Sequence, residues 1–194
     1  MSSHHVIRDE QEPPVFILDK DFNLESLNEL LGWSPLVYVE ESLCKWLLAR
    51  SIKIDGVLKV GGDKNVNNYD IPTYQKSTGQ TMLSFICSII ADKKFTGFNI
   101  FCDIAQRTSI VSQAIKKAPA LPICLFSAHD QTIITPKNEF VKWFPVNTKI
   151  KLHDERSIVS PPSIRHENTV LIENEGKYKF TSANQPLVLT ITYP

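Results

Sequence analysis

The spacing of apolar residues changes along the chain, and this change constrains the fold more than any other feature of the sequence. Early segments place apolar residues three or four positions apart, as amphipathic helices do, whereas later segments alternate apolar and polar residues, as β-strands do. From residue 121 onward, seven strand-like runs are separated by prolines. Because helical patterns precede strand patterns, the sequence predicts an α+β fold, with N-terminal helices and one central amphipathic helix packed on a mainly antiparallel β-sheet.

Three segments of the first half predict helices. Residues 23–32 begin with the potential N-cap Asn23, and residues 40–49 place apolar side chains on one side. The clearest helical pattern runs from Gln80 to Asp92. Between them, residues 52–60 alternate on both sides of an Asp-Gly pair, which predicts a β-hairpin.

The chain is expected to contain one domain and a short arm. Residues 1–15 are polar and acidic and predict a mobile acidic arm, while residues 16–194 predict a single α+β domain. No apolar run approaches the roughly 18–20 residues that span a bilayer, and the N-terminus lacks the regions of a signal peptide. The four cysteines form no C-x-x-C pair and predict buried free thiols in a reducing compartment.

The formal net charge of zero conceals two opposite terms. Residues 1–42 carry nine acidic and two basic residues, whereas residues 43–154 carry fifteen basic and eight acidic residues. An acidic segment ahead of a basic one indicates a protein that binds polyanions, anionic surfaces or neighbouring copies of itself.

Lysines that lie beside aromatic residues suggest a surface for phosphates or lipid headgroups. The predicted polyanion-binding residues are Lys93, Lys94, Lys116, Lys117, Lys142, Trp143, Lys149 and Lys151. Strands with outward lysines would produce the same pattern, so a solvated face remains the alternative.

The arm offers a second candidate binding site. Pro13, Pro14 and Phe16 resemble a P-P-x-Y ligand of WW domains, with Phe16 in the position of the tyrosine. The alternative is that the two prolines simply lead the chain into the fold.

We predict no catalytic residue, no cofactor and no metal site. The glycine cluster at residues 61–65 departs from a P-loop because Asp63 separates the last glycine from Lys64. His129 beside Asp130 would suit a hydrolase with Cys124 or Ser127 as its nucleophile, although no nucleophile elbow is present. The acidic and histidine residues at 153–155 and 166–167 lack the spacing of metal ligands.

The order of these parts is similar to that of rhabdovirus-type matrix proteins. A hairpin precedes the amphipathic helix, an aromatic strand follows at residues 98–101, and the Pro161-Pro162 pair separates the basic strands from a closing hairpin. The last stretch, Leu187–Tyr193, is the most similar one. The resemblance implies a virion protein that self-assembles, condenses the nucleocapsid and contacts the inner membrane leaflet.

These observations together predict a non-enzymatic viral structural, matrix-like protein. Its expected partners are further copies of itself, a viral nucleocapsid or RNA, an anionic membrane surface and a host WW domain, and its expected location is the host cytoplasm and the virion. A soluble nucleic-acid-binding accessory protein of the suppressor or movement type is the alternative, followed by a cysteine or serine hydrolase.

Overall fold

The strands and helices alternate in the first two thirds of the chain. A computed structural model describes residues 12–61, 70–91, 95–117, 119–183 and 186–194. Within them the helices are α1 (Leu24–Leu31), α2 (Cys44–Leu48, after a 3-10 turn at Glu41–Leu43), α3 (Met82–Ile90) and α4 (Ile104–Lys116). The strands are β1 (Val15–Ile17), β2 (Val37–Glu40), β3 (Gly56–Lys59), β4 (Thr73–Gln75), β5 (Phe98–Phe101), β6 (Ile123–Phe126), β7 (Gln131–Thr135), β8 (Glu139–Phe144), β9 (Lys149–Leu152), β10 (Ile158–Ser160), β11 (Ile164–His166), β12 (Thr169–Leu171), β13 (Gly176–Thr181) and β14 (Leu187–Thr192).

Eleven of the described strands form one mixed sheet in the order β11-β12-β9-β14-β7-β6-β5-β1-β2-β3-β4. From β6 to β4 the neighbours pair in parallel, and from β6 to β11 they pair antiparallel. The strands β10, β13 and β8 form a separate three-stranded antiparallel sheet. One sheet therefore joins a parallel half to an antiparallel half.

Helices cover both faces of the parallel half. Phe16 of β1 packs in a cluster with the apolar side chains of α3 and α4, whereas Val15 and Ile17 pack in a second cluster with those of α1 and α2. Alternate residues of a strand point to opposite faces, so a strand buried on both faces reads as a continuous apolar run. All three side chains of β1 are fully buried.

The antiparallel half is covered on one face by the three-stranded sheet. Ile150, Leu189 and Ile191 of the large sheet pack against Phe144 and Phe180 of the small one. On β14 the neighbouring residue Val188 instead joins the cluster beneath α3 and α4. The opposite face of this half therefore continues the surface on which α4 lies.

The predicted fold class is wrong, because the sheet is mixed and the helices lie on both of its faces. The parallel strands β1 and β2 are runs of three and four residues without a polar alternation, and they lie between segments with stronger helical patterns. The predicted hairpin is wrong as well, since the only strand there is β3, which pairs in parallel with β2 and β4. Its Gly56 leaves room for the Tyr38 ring, which would lie 2.6 Å from an added Cβ.

Other local predictions are confirmed. The side chain of Asn23 accepts a hydrogen bond of 2.8 Å from the backbone of Glu25 and caps α1, and α3 lies within the predicted central helix. Among the cysteines, Cys44 and Cys102 are buried, but Cys87 is exposed. Residues 1–11 of the predicted arm lie outside the described residues, and the division into an arm and one domain stays a prediction.

Replacing Phe16 by Ala should destabilise the protein by about 3–5 kcal/mol, because the ring is fully buried and stacks on Tyr38 at 4.9 Å between centroids. Denaturant unfolding followed by circular dichroism measures this loss. Trp143→Ala is the control, since that ring is 53% exposed and its loss should cost far less. Equal losses for the two variants would contradict the position of β1 in the core.

Candidate active site at the carboxyl ends of the parallel strands

The strand order reverses between β1 and β5. The chain runs from β1 outward through β2, β3 and β4, and then returns to place β5 on the other side of β1. Ile17 pairs with Phe101, and the backbone N–H of Leu18 donates to the carbonyl of Phe101 at 2.8 Å. In sheets of this kind, ligands bind in the crevice outside the carboxyl ends of the strands at such a reversal. We call this place the crevice.

Two carboxylates flank the crevice. Asp19 follows β1 by two residues and Asp103 follows β5 by two residues. Asp103 also caps α4, because its Oδ1 accepts a bond of 2.6 Å from the backbone of Gln106, whose side chain returns a bond to the Asp103 backbone. The capping box therefore fixes the first turn of α4 beside the crevice.

Arg107 connects α4 to the turn between β6 and β7. Its Nη1 donates to Oδ1 of Asp130 in an ion pair of half-buried side chains and lies 3.4 Å from Oγ of Ser127. The Ser127 hydroxyl donates to the same Asp130 oxygen at 2.7 Å. These contacts hold the guanidinium in one orientation.

The thiol of Cys102 responds to the charges around the crevice. Burial raises its pKa to about 12, Asp103 and Asp19 add to this rise, and Arg107 opposes it. Asp19 and Asp103 follow two neighbouring parallel strands at the same edge of the sheet, and Arg107 lies about one helical turn after Asp103, so the three charged side chains belong to this end of the fold.

Two cavities adjoin this network, and Asp130 lines both. The first, which we call the α1 cavity, measures about 810 Å³ and lies among Glu25 and Glu29 of α1, the 126–131 turn and Tyr193. The second, which we call the basic cleft, measures about 740 Å³ and lies between α4 and the strands β7, β14, β9 and β12. The Arg107–Asp130 pair thus lies at the boundary of an acidic cavity and a basic one.

The predicted polyanion-binding residues fall into separate places. Lys116, Lys149 and Lys151 line the basic cleft, whereas Lys142 donates to Tyr193 Oη at 2.8 Å beside the α1 cavity. Trp143 lies on the three-stranded sheet, and Lys117 is exposed just after α4. Lys93 and Lys94 lie outside the described residues.

The predicted WW-domain ligand leads directly into β1. Pro14 is buried, and its carbonyl accepts from the backbone of Asn99 at 2.9 Å. Phe16, which a ligand of this type presents to its partner, is fully buried, while Pro13 lines a shallow surface pocket with Trp33.

The geometry does not favour the hydrolase alternative. Burial raises the pKa of the Cys124 thiol to about 12, so the thiolate is scarce at neutral pH. The Ser127 hydroxyl donates to Asp130 and not to an imidazole, and His129 is exposed. Among the described residues, no group of three or more His, Cys, Asp or Glu side chains could hold a metal ion. Residues 62–65 of the glycine cluster lie outside the described residues.

Asp19, Asp103 and Arg107 were not among the residues predicted from the sequence. A signal was present, because two buried apolar runs, Val15–Leu18 and Ile100–Cys102, each end directly before an aspartate. Two such runs indicate carboxylates at the carboxyl ends of parallel strands, but only once the strands are known to be parallel neighbours.

Known structures share this fold. Thiamine pyrophosphokinase from Bacillus subtilis superimposes with a TM-score of 0.64 and 12% identity over 93% of this chain and 99% of that one. The Candida albicans enzyme gives 0.62 and 9% over 95% and 92%, and the yeast enzyme 0.59 and 9% over 97% and 88%. No protein-family model and no curated protein matches the chain.

These matches overturn the viral predictions. The chain has the fold of the thiamine pyrophosphokinases, so the resemblance to rhabdovirus-type matrix proteins is wrong. The predictions of a matrix-like function, a virion location and a non-enzymatic protein are wrong with it, because structures named as thiamine pyrophosphokinases share the fold. No described helix has the length and apolar character needed to cross a membrane.

His153, at the basic cleft, should titrate below the usual value of a histidine. Partial burial lowers its pKa, and the positive charges of Lys151 and Arg107 lower it further. Because the pKa of His153 is lower in the folded than in the unfolded protein, the native state binds fewer protons near pH 6 than the unfolded state does. The free energy of unfolding therefore falls as the pH drops from neutral through this range. Histidine NMR titration of the native protein measures this pKa directly.

The free energy of unfolding provides the matching test. Between pH 7 and pH 5, the wild type should lose more stability than His153→Gln, because only the wild type carries the histidine with the lowered pKa at this position. A His153 that titrates above 6.5 would contradict the positive surroundings of the ring.

Proposed function

We propose that the chain is a phosphotransferase-type enzyme that transfers a phosphate or pyrophosphate group from a nucleoside triphosphate, bound at the crevice, to a small acceptor in the α1 cavity. The observation that supports this most is the position of Asp19 and Asp103 directly after the neighbouring parallel strands β1 and β5, at the reversal of the strand order, with Arg107 about one turn further along α4. The fold supports it as well, because the structures that share it are named as pyrophosphokinases.

The side chains around the crevice suit this chemistry. Phosphoryl transfer depends on positioning and on stabilising the charge of the transferred group. A guanidinium matches two phosphate oxygens at once, and Asp130 and Ser127 keep that of Arg107 oriented. Magnesium that arrives with a nucleotide needs only one or two protein carboxylates, which Asp19 and Asp103 can provide, and it neutralises phosphate charge when bound.

The α1 cavity suits the acceptor. Its lining carboxylates, those of Glu25, Glu29 and Asp130, outnumber its one lysine, Lys142, and favour a molecule with a cationic ring. Its volume lies in the range of small-molecule sites. Thiamine, which the names of the similar structures give, is therefore the first acceptor to test.

Asp19→Asn should lower turnover on the order of 100-fold, because it removes one charge at the reacting phosphates with little change of volume. The full chain is incubated with ATP, magnesium and thiamine, and thiamine diphosphate is measured by chromatography. Glu173→Gln is the matched control, since it removes an exposed carboxylate outside the residues that line the crevice and both cavities.

Two results would contradict the proposal. The first is full activity of Asp19→Asn. The second is a wild-type protein that forms no thiamine diphosphate and that, in calorimetry, either does not bind ATP or binds it equally well when Arg107 is replaced by Lys. ATP binding that depends on Arg107, without product from thiamine, would retain the reaction type and exclude thiamine as the acceptor.

A further inference from the structure

The basic cleft lies on the uncovered face of the antiparallel half of the sheet. Ile150 and Ile191 point to the opposite face, where they are fully buried under the three-stranded sheet. The residues that alternate with them, Lys149, Lys151 and Thr190, line the cleft. These strands therefore have one apolar, buried face and one polar face that α4 only partly covers.

Polar side chains are aligned across four strands on this face. The register places Thr132, Thr190, Lys151 and Thr169 on β7, β14, β9 and β12 in one row. Residues paired in this way have Cβ atoms about 5 Å apart. The side chains of Thr190 and Lys151 therefore lie on adjacent strands and on the same face, close enough for one phosphate group to contact both.

The hydroxyls of the row belong to a connected network. The side-chain oxygens of Thr190 and Thr132 lie 2.9 Å apart, and Nε2 of His153 lies 3.0 Å from the Thr190 oxygen. Thr132 is almost completely buried. The network fixes these groups before any ligand arrives, which lowers the entropic cost of binding.

The charge of the cleft is not balanced. Lys116 on α4 faces Lys149 and Lys151 on β9, and none of the three forms an ion pair with another described residue. Asp130 is the one carboxylate among the lining residues, and Arg107 already neutralises it. Concave surfaces with one sign of charge concentrate ligands of the opposite sign.

We propose that the basic cleft binds a phosphorylated small molecule, with its phosphate held by Lys149, Lys151 and the hydroxyl of Thr190. This site goes beyond the proposed function, because it lies on the antiparallel half of the sheet and neither Asp19 nor Asp103 lines it. Three lysines match the charge of a diphosphate or of a phosphate ester with one further acidic group.

The shape of the cleft favours a small molecule over a nucleic acid or a membrane. Among the described residues that line it there is no Phe, Tyr or Trp, whereas surfaces for single-stranded nucleic acids stack bases on such rings. At Ile115 and His153 it adjoins another cavity, of about 430 Å³, that extends to Pro186 and Val188. The apolar surface there has room for the organic part of a phosphate ester.

The test is calorimetric binding of inorganic pyrophosphate to the full chain. The double variant Lys149→Ala/Lys151→Ala should weaken binding at least about tenfold, because it removes two charged donors. The matched control is Lys177→Ala/Lys179→Ala, which removes the same charge from the other sheet and should bind within about twofold of the wild type. Since all four side chains are exposed, both variants should fold, and thermal unfolding verifies this.

One further variant helps to locate the site. Thr190→Val keeps the charge and should weaken binding severalfold, with the His153 ring signals no longer responding to pyrophosphate. A Lys149→Ala/Lys151→Ala protein that binds pyrophosphate as the wild type does would place the pyrophosphate in the crevice and overturn the proposal without touching the proposed function.

Three other results would overturn it. The first is that pyrophosphate does not bind at millimolar concentration. The second is that the two double variants weaken pyrophosphate binding equally. The third is that single-stranded RNA or phosphatidylserine vesicles bind more tightly than pyrophosphate and lose that binding in Lys149→Ala/Lys151→Ala. Because calorimetry measures binding and not catalysis, the phosphate site in the basic cleft can be confirmed even if the protein does not act on thiamine.

Discussion

The parallel pairing of β1 with β5 on one side and β2 on the other determines where every other element lies. Val15, Phe16 and Ile17 are fully buried, and each forms part of one of two apolar clusters on opposite faces of the sheet. Burial on both faces needs helices on both faces, which α1 with α2 and α3 with α4 supply. The same pairing creates the reversal of strand order, so the core strand also defines the crevice.

The crevice acquires its chemistry from the elements that meet there. Asp103 follows β5 and caps the start of α4 through its capping box, and about one turn later α4 presents Arg107 to Asp130. This ion pair attaches α4 to the turn after β6 and lies between the α1 cavity and the basic cleft. An acidic and a basic cavity on either side of one arginine give the molecule two distinct environments for ligands of opposite charge.

Local patterns in the sequence predicted elements but not their arrangement. The alternating runs after residue 121 correspond to β6, β7, β8, β9, β12, β13 and β14, and Asn23 caps α1 as its position indicates. The strand β1 could not be recognised, because Val-Phe-Ile after two prolines also fits the end of an arm. Without β1, neither the parallel sheet nor the meeting of Asp19 with Asp103 follows from the sequence. The lysines of the basic cleft were selected for their charge, but only the strand register shows that Lys149 and Lys151 share a face with Thr190 and Thr132.

The reaction centre should lie where the strand order reverses between β1 and β5, and a crystal structure with magnesium and a non-hydrolysable nucleoside triphosphate would show whether it does. We expect the terminal phosphate within hydrogen-bond distance of the Arg107 guanidinium, beside the carboxylates of Asp19 and Asp103. A nucleotide bound at the opposite ends of the strands near Trp33, with the crevice empty, would contradict it.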